Sequence, residues 1–83
     1  MQTDALIDRY IEANPHHAGP ADVRLREHFV PVWALVGYWK AAEGDVEQVA
    51  ADYRLPREAV EAAIAYYQDH EAIIDARLAA NLG

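Results

Sequence analysis

The chain is predicted to be a mainly α-helical single domain over residues 1–83, with a short N-terminal β-hairpin or strand, a helix-turn-helix and a long C-terminal helix. Three observations predict this. Apolar residues recur at helical spacing through most of the chain, whereas one short stretch, DVRLREHFVPV, alternates instead. The stretch DVEQVAADYRLPREAVEAAIAYY, residues 45–67, sets two amphipathic runs on either side of a tight Arg54-Leu55-Pro56 turn.

The first helix is expected over residues 4–13, where Leu6, Ile7, Tyr10 and Ile11 share a face. Thr3 stands as its cap, Asp4 lies in its first turn, and Asn14-Pro15 should stop it. HHAGPAD reads as a loop by its Gly and Pro. A β element over 22–32 follows, in which Val23 and Leu25 point inward and Arg24 and Arg26 outward. After Pro31, VWALVGYWKAAEG is apolar nearly all round, so the helix over 32–43 should be covered on several sides.

Gly44 suits the residue after that helix, and Asp45 with Gln48 three positions later has the form of a capping box for a helix over 46–53. Pro56 suits the start of the next helix. From Arg57 to Asn81 no Gly or Pro interrupts the chain, so the last helix is expected over 56–80 with a seam of Val60, Ile64, Tyr67, Ile74 and Leu78. About 24 residues would span ~36 Å, long for so small a domain. Either a break falls near Asp69 and His70, or the tail projects to meet a partner.

At 83 residues and 53% hydrophobic, with two Trp and five Tyr, the chain should fold around a packed core, and a homodimer is a plausible source of added stability. It has no cysteine, which excludes disulfides and thiolate metal sites. No run approaches the ~20 apolar residues of a membrane span, and MQTDALIDRYIEANPHH has no basic segment leading into an apolar one. Cytoplasmic localisation is the expectation. Net charge is −7, divided unevenly: residues 1–42 carry four cations against five acids, residues 43–83 three against nine.

His16, His17, His28 and His70 show neither His-x-x-x-His nor HExxH spacing, so no metal and no cofactor are expected. No recognisable nucleophile, base or phosphate loop accompanies the carboxylates, and the chain is not expected to be an enzyme. In the helix-turn-helix, Arg54, Arg57, Glu58 and Glu61 would face a major groove. Two packed helices of a small bundle would show the same pattern. Arg54 and Arg57 are the unit's only cations, a poor supply for neutralising phosphate. Arg24 and Arg26, with His28 nearby, form a separate cationic group that could touch phosphates or a partner's carboxylates, or simply guard a strand edge. Trp33, Trp39 and Tyr67 belong to an aromatic set dense enough for some members to meet a partner.

VPVWALVGYWKA, then DVEQVAADYRLPREAVEAAIAYYQDH and IDARLAANLG, resemble the bacterial family catalogued as domain of unknown function 433. The resemblance covers about residues 15–83, and Val30-Pro31-Val32-Trp33 and Ala62-Ala63-Ile64-Ala65-Tyr66-Tyr67 carry most of it. Many members have a glycine-threonine-arginine run before Val-Pro-Val where this chain reads Arg26-Glu27-His28-Phe29, and a hydroxyl cap where Pro56 stands. The resemblance implies a homeodomain-like helix-turn-helix bundle with a short β element, similar to the antitoxins of type II toxin-antitoxin systems. Such antitoxins mask a PIN-like ribonuclease toxin and often bind their own promoter. On that resemblance Arg54, Arg57, Glu58 and Glu61 fall in the DNA-reading turn and helix start, and the C-terminal helix would be free for a toxin. A PIN-type site gathers carboxylates around a metal ion, so the masking cation would be Arg77 or the Arg24 and Arg26 pair. The alternative is an acidic, helix-turn-helix-shaped protein-interaction module without DNA binding.

Overall fold

A computed structural model describes the backbone of residues 2–82 and the side chains of residues 4–81. The order is α1 (Gln2–Tyr10), β1 (Ile11–Glu12), a 3-10 turn (Pro20–Asp22), β2 (Arg24–Leu25), α2 (Val32–Ala41), α3 (Val46–Tyr53), α4 (Arg57–Asp69) and α5 (Glu71–Leu82). The mainly helical architecture with a short N-terminal sheet is as predicted. Two elements differ from the sequence expectation, for reasons that are tertiary.

The first helix ends at Tyr10, before Asn14 and Pro15, because Ile11 and Glu12 leave it to pair antiparallel with Leu25 and Arg24. Pairing buries Ile11 and sets Glu12 against Arg24 in an ion pair of 2.8 Å. Arg26 N donates to the Tyr10 carbonyl and continues the ladder. On the other edge of β2 the expected hairpin closes: Leu25 N donates to Val30 O, Val32 N to Val23 O, and Arg24 bridges Pro31. Phe29 at the turn is left-handed, φ 58°, and its N–H bonds to the Leu25 carbonyl. Val23 and Leu25 face the core, following the alternation.

Of the two alternatives for the helix over 56–80, the break near Asp69 and His70 is the one found: the segment is two helices. No Gly or Pro breaks it; His70 does. Its Nδ1 donates to the Tyr66 carbonyl, the partner its own N–H would take in a continuing helix, and that N–H turns to Tyr67 O. The His70 ring stacks on Tyr66 at 4.1 Å. The turn lets α5 fold back, burying Ile74 completely and laying Leu78 on Gly37 of α2. A Cβ at Gly37 would meet Leu78 Cδ2 at 2.9 Å, so the glycine permits this close approach.

Between α2 and α3, Gly44 is left-handed (φ 82°), and the Asp45 carboxylate caps α3 by accepting from Gln48 N at 3.1 Å. Arg54 takes the left-handed position that ends α3, and Leu55 N donates to the Ala50 carbonyl while its side chain fills the turn. α4 lies at the centre of the domain. It packs against α1, α2, α3 and α5, and buried Ala59, Ala62, Ala63 and Ala65 keep its surface small enough for close neighbours.

Candidate interaction surface

The helix that would enter a major groove is the most enclosed in the domain. α1 lies along α4, its principal neighbour, on the side that carries Glu58, Glu61 and Ala65. The Tyr10 hydroxyl donates to Glu58 at 3.1 Å, and Leu6 with Arg9 flanks Glu58 and Glu61. Partial burial first, and the Glu58 hydrogen bond second, raise the Tyr10 pKa above its ordinary value. Periodicity in the sequence shows that Leu6, Ile7 and Tyr10 form an apolar face, but nothing local says that α4 is what it covers.

The cations expected at this surface are mostly engaged. Arg57 pairs with both Glu47 and Glu61, the latter at 3.3 Å across one helical turn. Arg24 is held by Glu12 and also covers the exposed Phe29 ring at 4.5 Å. Arg26 Nη1 is 3.7 Å from Glu12, and its Nε donates to the Asp8 carbonyl. Arg54, exposed on the turn, makes no ion pair among the described residues. Arg24 and Arg26 therefore sit together around Glu12, while Arg54 and Arg57 sit at the α3–α4 turn as a separate group.

Of the residues expected to meet a partner, Arg77 joins α5 to the 3-10 turn, with Nε 3.2 Å from Asp22 and its guanidinium 4.5 Å over the Trp33 ring. Trp33 is half-buried beneath it. Tyr67 lies inside the domain at 8% exposure, edge-on to Trp39 with centroids 6.4 Å apart. The Trp39 Nε1 is buried without a hydrogen-bond partner among the described residues. Tyr67 donates its hydroxyl to Asp75 at 2.9 Å, and Lys40 reaches the same carboxylate at 2.9 Å across the Tyr67 ring. Tyr67 and Asp75 raise the Lys40 pKa, while Lys40 and then Tyr67 lower that of Asp75. Sequence reasoning missed this three-residue clasp. Lys40 and Tyr67 are 35 and 8 positions from Asp75, and the turn at His70 brings them together.

On the far side of the bundle Tyr38 stands out from α2, edge-on to Tyr53 at 5.1 Å and bonded to Asp52, which raises the Tyr38 pKa. Among the described residues, Phe29, Tyr38 and Ile73 are the large apolar side chains left exposed, on three separate segments. Among the described residues no three His, Cys, Asp or Glu side chains gather as a metal site, and no helix is long and apolar enough to cross a membrane.

A family described as protein of unknown function (DUF433) matches residues 11–67. No curated protein and no solved structure matches the chain. The matched stretch runs from β1 almost to the end of α4, so α1 and α5 both lie outside it.

Proposed function

Because the chain belongs to the DUF433 family, which spans its β element and three-helix centre, we propose that it is a protein-binding module of antitoxin type, masking a PIN-like ribonuclease. One observation carries the choice of a protein partner over a duplex: α1 lies on the outer face of α4, where a groove would have to be. The charge acts in the same direction. Residues 43–83 carry nine acids against three cations, and the two arginines nearest the reading turn include one already paired with Glu47 and Glu61. The nuclease as partner rests on the family resemblance. Promoter binding, where it occurs, would then use cations supplied by a second copy or by the nuclease.

The test is co-expression with a PIN-like nuclease encoded beside it. A stable complex in which RNA cleavage is lost is the expected result; cleavage that proceeds unchanged in the presence of excess partner rejects the proposal. Titration of the isolated chain with its own upstream duplex at several salt concentrations separates the DNA question. Nanomolar, strongly salt-dependent binding by this chain alone would overturn the preference for a protein surface.

A further inference from the structure

We propose that the recess where α1, the hairpin turn and the head of α4 meet is a binding site for a phosphomonoester group. The recess has a volume of about 320 Å³ and is walled by Arg9 and Tyr10 from α1, Leu25 to His28 from the hairpin, and Pro56 before α4. That is the lower end of the size range of small-ligand sites, roughly 300 Å³.

Two guanidinium groups and an imidazole line this recess with Glu27 as the carboxylate among its wall residues, while Glu12 and Glu58 stand behind Arg26 and Tyr10, in a molecule whose net charge is −7. Arg9 is exposed and makes no ion pair among the described residues; its guanidinium lies 5.3 Å from the Tyr10 ring centroid. Arg26, half-exposed, donates its Nε to the Asp8 carbonyl and stands 3.7 Å from Glu12, contacts that orient the group while leaving part of it uncommitted. Preorganised arginine forks match phosphate oxygens with little ordering on binding. Donors come from two walls, α1 and the hairpin, which suits an anion whose oxygens radiate tetrahedrally better than a planar carboxylate.

The surroundings select a single terminal phosphate over a polymer backbone. The site is concave, and the acidic half of the molecule repels an extended polyanion within a Debye length of about 8 Å. The Tyr10 ring offers an apolar wall for a base or sugar attached to the phosphate. Arg9 and Tyr10 precede the family-matched residues 11–67, so the docking of α1 builds this site onto the shared centre. The proposal does not rest on nuclease masking, and Arg26 is the one wall residue that also belongs to a candidate masking pair.

The experiment is a backbone NMR titration of the full chain at constant ionic strength. Its probes are inorganic phosphate, adenosine 5′-monophosphate, adenosine, succinate, and a dinucleotide with and without a 5′-phosphate. Saturable shifts at Arg9, Tyr10, Arg26 and His28 with the phosphorylated probes, and none with adenosine, are expected. Arg9→Gln should weaken binding about tenfold, the loss of one charged hydrogen bond, with Arg9→Lys recovering part of it. Tighter binding of the phosphorylated dinucleotide than of the mononucleotide would identify a strand end as the source; equal binding would identify a free nucleotide. The proposal is overturned by the absence of saturable binding, by wild-type binding in Arg9→Gln, or by succinate matching phosphate. That last result would reassign the recess to a protein partner's carboxylates.

Discussion

α1 and α5 flank the same central helix from outside the family-matched residues, yet they are held by different means. α5 inserts Ile74 fully into the core, rests Leu78 on Gly37, and is tied by Asp75 to Lys40 and Tyr67 and by Arg77 to Asp22 and Trp33. α1 contributes Leu6, Ile7 and Tyr10, none of them fully buried, and has the Tyr10–Glu58 and Arg26–Asp8 hydrogen bonds. Apolar burial scales with area removed from water; α5 drives one side chain, Ile74, fully into the core, whereas α1 covers α4 with partly buried side chains along its length. The difference assigns their roles: α5 completes the core, whereas α1 decides what the outer face of α4 can touch.

The contrast can be broken most directly at Ile74. Ile74→Ala should destabilise the domain by about 2–5 kcal/mol and lower its Tm by roughly 10 °C or more. A loss of only a degree or two in calorimetry would put α5 outside the core. Leu6→Ala on α1 removes half-buried surface and should cost only about 1 kcal/mol. Hydrogen exchange should then be faster in α1 than in α5, in the parent as well as the variant; the reverse order would invert the comparison. Deleting residues 1–10 uncovers Glu58 and Glu61, acids rather than cations, so duplex affinity should not rise. A gain measured by fluorescence anisotropy would mean that α4 reads DNA once uncovered.

pH offers a smaller effect, which at its acid end acts through Asp75 of α5. Asp75 has its pKa lowered in the fold, so its contribution is present above the unfolded carboxylate value and is lost as pH falls through the folded one. Lys40, with its pKa raised, contributes below the ordinary lysine value and loses that contribution as pH climbs past its folded value. A plateau across neutrality with loosening of α5 at its acid end is expected, and Asp75→Asn should flatten the acid limb. The smallest change is Tyr10→Phe, which deletes an exposed hydrogen bond to Glu58 and should leave the denaturation midpoint nearly unchanged. A multi-kcal/mol loss in chemical denaturation would show α1 to be anchored through that bond.

Much of the local structure was legible from particular residues. The alternation of Val23 and Leu25 marked the hairpin, Asp45 and Gln48 the start of α3, and Arg54-Leu55-Pro56 the turn between α3 and α4. The site was legible only as an inventory. Arg24, Arg26, Arg54, Arg57 and Arg77 were visible as charges, but Glu12, Glu47, Glu61 and Asp22 engage four of them through contacts of which only Arg57–Glu61 lies within a helical turn. Arg9 carries no signal in the sequence, since one arginine at the end of a short helix has no pattern around it.

The amino-acid order by itself determined the helical periods, the turns, the cap and the acidic bias of residues 43–83, because these depend on neighbours within a few positions. The tertiary structure alone decided that Ile11 joins a strand, that His70 turns the last helix back, that α1 covers α4, and which arginines remain available. An amphipathic period states that a face must be buried without naming its mate. The mates here are up to 55 residues apart, and it is their combined packing that selects among faces which the local pattern leaves equivalent.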